Sequence, residues 1–195
     1  MSDLNDGQLV LGYLKGDDES LVVLIKRYLK PIYNFICRYV RNGAEAEDIA
    51  QEVFLRVWKN IKKFDREKKF KTWIFSIAKN AALDFIKKKK AMPFSDFSSK
   101  GGSAFGGTDE EGENIIENSI ADTELLPSEV LERADIARIL NEALEKLSPK
   151  YRAVLFLYYN ENFNFREIAE ILGEPIDTVK SRQRRALIML KKLLS

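Results

Sequence analysis

The chain has 195 residues, of which 45% are hydrophobic and 32% are charged, and its formal net charge is +2. It contains no histidine and one cysteine, Cys37, which excludes histidine-based catalysis, a disulfide framework and a cysteine-ligated zinc site. No apolar run reaches the roughly 18 residues of a membrane-spanning helix, and the polar N-terminus lacks the pattern of a secretory signal. We therefore expect a cytoplasmic protein without membrane insertion, cofactor or metal.

Four helices are predicted in the N-terminal part of the chain. Apolar residues recur at helical spacing over about 4–15, 17–42, 44–61 and 70–90, and no window alternates as a half-buried strand does. Pro31 lies within the second segment and is expected to kink it or split it. The sequence is therefore typical of an all-α protein.

The charge is spread unevenly along the chain. Residues 1–90 carry 19 Lys and Arg against 12 Asp and Glu, residues 91–130 carry one against nine, and residues 131–195 carry 12 against nine. Two basic segments therefore flank an acidic one. This pattern favours a nucleic-acid partner for the two ends and a different role for the middle.

The acidic segment is predicted to be a flexible linker between two helical domains. Residues 98–113 contain five of the ten glycines, and a composition of this kind cannot bury enough apolar surface to offset chain entropy. A passive tether is the simplest interpretation, although the isoleucines and leucines that follow could dock on a partner. The predicted domains are residues 1–90 and 128–195, joined by a linker over 91–127.

The C-terminal domain has the pattern of a helix-turn-helix. A helix over about 128–147 is followed by Ser148-Pro149, a capping residue and a proline that start the next helix. A short helix ends at Gly173, and the last helix begins at about Asp177. Its first turns carry a polar and basic cluster, namely Thr178, Lys180, Ser181, Arg182, Arg184 and Arg185. Such side chains can contact bases and phosphates in the major groove, although a solvated basic face on an ordinary helical hairpin is the alternative.

Aromatic and basic residues are interleaved before and within the fourth predicted helix. The candidate residues for binding a nucleic-acid strand are Phe64, Lys68, Lys69, Lys71, Trp73 and Lys79. Ring faces can stack on unpaired bases while cations hold the phosphates, which is the combination that single-stranded nucleic acid needs. At least half of the aromatic residues in this segment are expected to belong to the core instead.

Acidic and apolar residues also lie close together on the third predicted helix. Asp48, Gln51 and Glu52 fall within about one helical turn, and Phe54, Leu55 and Trp58 follow them. This group is either a solvated acidic face or a docking face for a basic or helical protein surface.

Three segments, taken in order, resemble the extracytoplasmic-function (group four) sigma factors of bacterial RNA polymerase. The run from Ala46 to Trp58 is similar to the helix of that family that binds core polymerase. The run from Phe70 to Asp84 is similar to its promoter-melting helix, which reads the minus-ten element. Leu147 to Leu187 resembles its fourth conserved region, which binds the minus-thirty-five element. The resemblance covers all but the linker and the extreme ends.

The resemblance implies a dissociable, non-enzymatic subunit that binds core RNA polymerase, directs it to specific promoters and promotes strand opening. The residues implied for core polymerase are Asp48, Gln51, Glu52, Phe54 and Trp58. Those implied for the minus-ten element are Phe64, Lys68, Lys69, Lys71, Trp73, Lys79 and Asn80. The basic cluster of the last helix would contact the minus-thirty-five element. Promoter DNA, both duplex and melted, and an anti-sigma factor are the further partners expected for the family.

Two positions depart from the family pattern, because Gln183 stands where leucine is usual and Asp177 where a small residue is common. Three other functions are compatible with parts of the sequence. A stand-alone helix-turn-helix regulator would bind duplex DNA without polymerase, usually as a dimer. A magnesium-dependent nucleic-acid enzyme would need converging acidic residues, and a purely structural helical protein would leave both basic faces unexplained.

Overall fold

The computed structural model describes residues 4–91 and 127–194, and both ranges are helical, with no strand in either. The N-terminal range contains α1 (Asp6–Leu14), α2 (Asp18–Ile36), α3 (Gly43–Asn60) and α4 (Phe70–Ala91). The C-terminal range contains α5 (Pro127–Glu145), α6 (Pro149–Leu155), α7 (Phe165–Leu172) and α8 (Ile176–Leu194). The all-α prediction is confirmed. Of the helices in these two ranges, none combines the length and the apolar character needed to cross a membrane. Almost all of the predicted linker lies outside the described residues.

Local side-chain chemistry sets where several helices begin. The Asn5 side chain accepts a hydrogen bond from the Gln8 backbone N–H, and the Gln8 side chain accepts one from the Asn5 N–H, both at 2.9 Å. This reciprocal pair satisfies two backbone donors that the first turn of α1 leaves open. The Asn42 side chain caps α3 in the same way, by accepting from the Glu45 N–H at 3.1 Å.

The second helix differs from its prediction in length. Of the two outcomes expected for Pro31, a kink or a split, the split is absent, because α2 runs as one element from Asp18 to Ile36. Proline removes one backbone hydrogen bond, but the neighbouring Ile32 and Phe35 are completely buried, and this packing holds the helix together. The helix ends at Ile36, well before the predicted residue 42. The apolar run continues beyond the helix into Val40, which is buried in the turns that follow, and this run made the predicted helix too long.

A single large core joins the N-terminal and C-terminal helices. Phe35 and Phe75 are completely buried, and their ring centroids lie 5.2 Å apart. The ring of Phe156 lies 6.0 Å from that of Phe35, and the ring of Phe163 lies 5.2 Å from that of Phe75. The residues that precede α7 are therefore packed directly on α2 and α4.

Cys37 lies at the end of α2 and is half-buried against this core. Burial raises the pKa of its thiol, so the thiolate that reacts with oxidants and electrophiles is disfavoured at neutral pH. This environment favours a structural role for Cys37 over a role as a redox switch.

Candidate polymerase and nucleic-acid interfaces

The outer face of α3 presents the predicted polymerase-binding residues. The helix buries a stripe of small and branched residues, Ala46, Ile49, Ala50, Val53 and Val57. This burial turns Asp48, Gln51 and Glu52 toward the outside, where all three are exposed. Trp58 is 54% exposed, whereas Phe54 is half-buried and packs on the core.

Leu55, which follows the acidic residues in the sequence, adds an exposed apolar side chain to this face. It is 49% exposed and lies three residues before Trp58, which places the two side chains next to each other on the helix surface. The spacing was visible in the sequence. What the sequence did not show was that an apolar residue at this position would be left outside the core.

An ion-pair network holds the acidic part of the α3 face. Arg56 Nε lies 2.8 Å from Glu52 Oε1, and Arg56 Nη1 lies 3.4 Å from Asp84 Oδ2 on α4. The hydrogen bond to Glu52 raises the pKa of Arg56, with Asp84 adding to the effect. Glu52 is therefore held in one orientation at the edge of the exposed face.

The aromatic residues at the start of α4 form a cluster. The Phe64 ring lies 4.9 Å from that of Trp73 and 5.7 Å from that of Phe70. Phe70 is buried, whereas Phe64 and Trp73 are half-buried. The expectation that many aromatic residues here serve the core is correct for Phe70 and Phe75, and two rings stay accessible at the edge of the cluster.

The lysines predicted to bind the minus-ten strand face acidic residues of the C-terminal half. The pairs are Lys69–Glu167 at 2.7 Å, Lys71–Glu161 at 3.0 Å and Lys68–Glu170 at 4.0 Å. Lys79 lies beside the turn between α7 and α8. Its Nζ atom is 3.9 Å from the position that a Cβ atom would occupy if Gly173 carried a side chain. Asn80 is exposed. The structure therefore brings most of the predicted strand-binding residues against another part of the chain.

Glu167 is the best-anchored of these acidic residues. Burial by itself would raise the pKa of its carboxyl, but hydrogen bonds from Lys69 Nζ and from the Asn164 backbone N–H outweigh burial, and the pKa is lowered. The second bond belongs to a capping box at the start of α7, in which the Asn164 side chain accepts from the Glu167 N–H at 3.0 Å. Glu167 is thus held as a carboxylate.

The helix-turn-helix is present as predicted. Gly173 has φ +66°, a left-handed conformation that glycine adopts without steric cost, and it ends α7. Ile168, Ile171 and Val179 are buried between α7 and α8. The exposed residues of α8 include most of the predicted minus-thirty-five set, namely Thr178, Lys180, Ser181, Arg184 and Arg185.

Two residues of α8 are turned toward the rest of the protein. The side chain of Arg182 is only 15% exposed and forms an ion pair with Glu174. The side-chain amide of Gln183 donates a hydrogen bond to the Tyr159 hydroxyl at 3.0 Å. A leucine at position 183 could not make this bond. The hydrogen bond to Tyr159 therefore gives glutamine a local structural role at this position.

Comparison with known proteins gives the family. Residues 24–92 match the family description "Sigma-70 region 2" and residues 133–190 match "Sigma-70, region 4". The chain is 36% identical over 180 residues to the ECF RNA polymerase sigma factor SigW of Bacillus subtilis, which covers 92% of this chain and 91% of that protein. The chain belongs to the ECF sigma factors. It is therefore an RNA polymerase sigma factor that directs promoter-specific transcription, as the resemblance implied.

Other relatives and solved structures agree with this assignment. The RNA polymerase sigma-H factor of Pseudomonas aeruginosa is 28% identical over 190 residues, covering 97% of this chain and 93% of that protein. The structure of CnrH in complex with the cytosolic domain of CnrY has a TM-score of 0.62 at 20% identity, covering 97% of this chain and 96% of that one. The sigma factor RpoE in complex with the anti-sigma factor NepR from Bartonella quintana has a TM-score of 0.61 at 22% identity, covering 87% and 93%. These two structures support the fold.

A cleft beside α8, the recognition helix of this sigma factor, contains further candidate DNA-binding residues. It has a volume of about 260 Å³ and lies where the first turn of α6 meets α8. Lys150 and Tyr151 line it together with Ser181 and Arg185. The sequence analysis missed Lys150 and Tyr151, because only the approach of α6 to α8 brings them beside the basic cluster.

The described part of the sigma factor offers no metal site. Within residues 4–91 and 127–194, no three side chains of Cys, Asp or Glu come close enough together to hold an ion. The densest acidic run in the sequence, residues 109–113, lies outside those ranges.

Proposed function

We propose that this sigma factor is a dissociable, non-enzymatic subunit that docks on core RNA polymerase through α3. The observation that carries the proposal is the exposed acidic and aromatic surface of α3, which presents Asp48, Glu52 and Trp58 to solvent and pairs Glu52 with Arg56. Exposed aromatic residues beside charged ones are typical of protein interfaces, in which a few aromatic anchors carry most of the binding energy. Gln51 and Phe54 complete the proposed docking face.

Promoter opening is assigned to α4 and to the aromatic cluster that precedes it. The accessible edges of Phe64 and Trp73 would receive an unpaired base, while Lys68, Lys69 and Lys71 would hold the phosphates of the strand. Unpaired bases stack on aromatic rings and a basic groove follows the backbone, so this combination suits a melted minus-ten element. Lys79 and Asn80 would extend the path along α4.

Recognition of the minus-thirty-five element is assigned to α8. Thr178, Lys180, Ser181, Arg184 and Arg185 would enter the major groove or contact its phosphates, as the first turns of a recognition helix do. Arg182 stays in this predicted set, and its ion pair with Glu174 suits a residue that holds the helix in position.

The domain division follows from these assignments. Residues 1–90 would bind core polymerase and the minus-ten element, and residues 128–195 would bind the minus-thirty-five element. Residues 91–127 would connect them. The two family matches, at 24–92 and 133–190, support this division.

An anti-sigma factor is proposed as a further partner, and the cytoplasm, where core polymerase resides, as the site of action. Support comes from the RpoE structure, in which a sigma factor of the same fold is bound to the anti-sigma factor NepR.

The test is co-elution with core RNA polymerase in gel filtration. We expect the wild type to co-elute and the Asp48→Arg/Glu52→Arg variant to elute alone, because reversed charges would meet the partner surface that the acidic residues fit. Asp135→Arg/Glu142→Arg is the matched control, since Glu142 pairs with Arg138 four residues away just as Glu52 pairs with Arg56. A folded wild type that fails to bind core polymerase would contradict the proposal and favour a stand-alone regulator.

A further inference from the structure

Asp177 places a carboxylate on the otherwise basic face of α8. It is the only acidic residue of this helix, and its side chain is 91% exposed. It lines a shallow depression together with basic and polar neighbours, namely Lys180, Ser181, Arg184 and Arg185. A surface that suits the phosphates of DNA therefore carries a group that phosphates repel.

Two contacts fix the rotation of α8 and so decide which of its side chains face outward. Arg182 forms an ion pair with Glu174, and the side-chain amide of Gln183 donates to the Tyr159 hydroxyl at 3.0 Å. Both contacts hold the inner side of the helix against the rest of the protein. The helical repeat places Asp177 on the opposite side, with the other residues of the depression.

Hydrogen bonding within the described part of the chain does not account for Asp177. The backbone N–H groups of Thr178 and Val179 donate to the Pro175 carbonyl oxygen at 3.0 and 3.1 Å, so the first turn is closed without the carboxylate. The ion pair of Asp177 with Lys180 spans 3.8 Å between two exposed side chains, and such a pair contributes little to stability. The remaining structural role is a favourable interaction with the positive end of the helix dipole. The carboxylate is therefore free to accept hydrogen bonds from a ligand.

The base edges in the major groove decide what a carboxylate can meet there. The hydrogen-bond donors that this groove exposes are the N4 amino group of cytosine and the N6 amino group of adenine. Adenine carries the N7 acceptor beside its amino group, which opposes a carboxylate, whereas cytosine carries no acceptor on this edge. Cytosine is therefore the base that Asp177 fits best.

We propose that Asp177 is a specificity-determining residue of α8, which accepts a hydrogen bond from the N4 amino group of one cytosine in the minus-thirty-five element. This inference rests on the proposed role of α8. Neighbouring cations that contact phosphates supply affinity common to every sequence, whereas Asp177 supplies a preference. At a guanine or thymine, its carboxylate would lose hydration without gaining a hydrogen bond.

The test selects promoter sequences with the complete holoenzyme. Full-length wild type, Asp177→Ala and the control Asp135→Ala are each assembled with core RNA polymerase and used to select from randomised DNA duplexes. Asp135 is a matched control, because it is an exposed acidic residue that pairs with a basic residue three positions later, Arg138, but lies on α5. Sequencing of the bound duplexes gives the preference of each protein at every position of the upstream element.

We expect the wild type to enrich an upstream element with a cytosine at one position, and Asp177→Ala to lose about tenfold of the preference for that cytosine. Preferences at the other positions should persist, because the rest of α8 is unchanged. Asp135→Ala should select the same element as the wild type. Urea denaturation verifies that both variants are folded.

A second measurement addresses the amino group itself. In the selected duplex, the cytosine is replaced by pyrimidin-2-one, which lacks the 4-amino group, and fluorescence anisotropy gives the affinity of each holoenzyme. The replacement should weaken binding of the wild type about tenfold more than binding of Asp177→Ala, because the variant has no carboxylate to lose a donor. Any effect of the analogue on base pairing is common to both proteins and cancels in this comparison.

The outcomes separate failure of this inference from failure of the role proposed for α8. A wild type that enriches no upstream element would overturn that role and the inference with it. An element that the wild type and Asp177→Ala select with equal preferences would overturn the inference alone, as would a loss of preference at a base other than cytosine. An equal gain of Asp177→Ala in affinity for all sequences would also overturn it, by showing that the carboxylate only repels phosphates.

Discussion

The outer faces of α3 and α4 are built alike but have different ion-pair partners. Both helices bury one stripe in the shared core and turn charged and aromatic residues outward. Asp48, Glu52 and Trp58 on α3 are exposed, whereas Lys69 and Lys71 on α4 meet carboxylates of the C-terminal half. Lysines of the face proposed for the melted strand are therefore paired with the C-terminal half, although the Lys69 side chain stays 74% exposed. The two faces differ in their ion-pair partners, because the Glu52–Arg56 pair lies within α3 and extends only to Asp84 of α4.

The largest expected effect comes from Phe75, which lies on the buried side of α4. Phe75→Ala should lower the free energy of unfolding by about 3–5 kcal/mol, because the ring is completely buried between Phe35 and Phe163. Trp58→Ala, on the accessible face, should change it by less than about 0.5 kcal/mol. Urea denaturation measures both. A large loss of stability in Trp58→Ala would show that the α3 face is part of the core. It would contradict the distinction between an exposed α3 face and a buried Phe75.

Trp58 should matter for binding where it does not matter for stability. Trp58→Ala should weaken binding to core polymerase by about 2 kcal/mol or more, which is roughly 30-fold in Kd, because a buried aromatic anchor would be lost from the interface. Leu29→Ala is the control, since Leu29 on α2 is 52% exposed and Trp58 is 54% exposed. Fluorescence titration with labelled protein gives both affinities. Equal losses in the two variants would remove the special role of α3.

The basic face of α8 sharpens the comparison. It is exposed, although it belongs to the half whose carboxylates pair with the lysines of α4. Arg185→Ala should weaken binding to minus-thirty-five duplexes of every sequence to a similar extent. It should also make the log–log slope of affinity against salt shallower by about 0.9, the value for one phosphate contact. Anisotropy titrations at several salt concentrations measure the slope. An unchanged slope together with altered sequence preference would make Arg185 a base-reading residue.

Amphipathic spacing was sufficient to predict the elements that carry the proposed sites. The third and fourth helices were expected over about 44–61 and 70–90, and they run from Gly43 to Asn60 and from Phe70 to Ala91. Both predictions succeeded because a continuous apolar stripe ends where a cap or a turn begins. The second helix was predicted too long, because Val40 continues the stripe beyond the last helical residue.

The pairing of α4 lysines with the C-terminal half could not be predicted from sequence patterns. Lys69 and Glu167 are 98 positions apart, and an ion pair at that separation leaves no local signature. Periodicity shows which face of a helix is apolar but not which distant segment will lie against its polar face. For the same reason, the position of Lys150 beside α8 was not predicted. The ion pair of Arg182 with Glu174 was not predicted either, because the sequence pattern placed Arg182 among the exposed basic residues of α8.

The smallest effect concerns the acid stability of the contact. The pKa of Glu167 is lowered in the folded protein, so its ion pair with Lys69 stabilises the protein fully above the ordinary glutamate pKa of about 4.3. This contribution must be lost as the pH falls through the lowered value, since protonation then occurs in the folded state as well. Urea denaturation of wild type and Glu167→Gln should therefore give free energies that differ at pH 7 and converge toward pH 3. A difference that stays constant over this range would mean that the Glu167 carboxylate does not stabilise the folded protein.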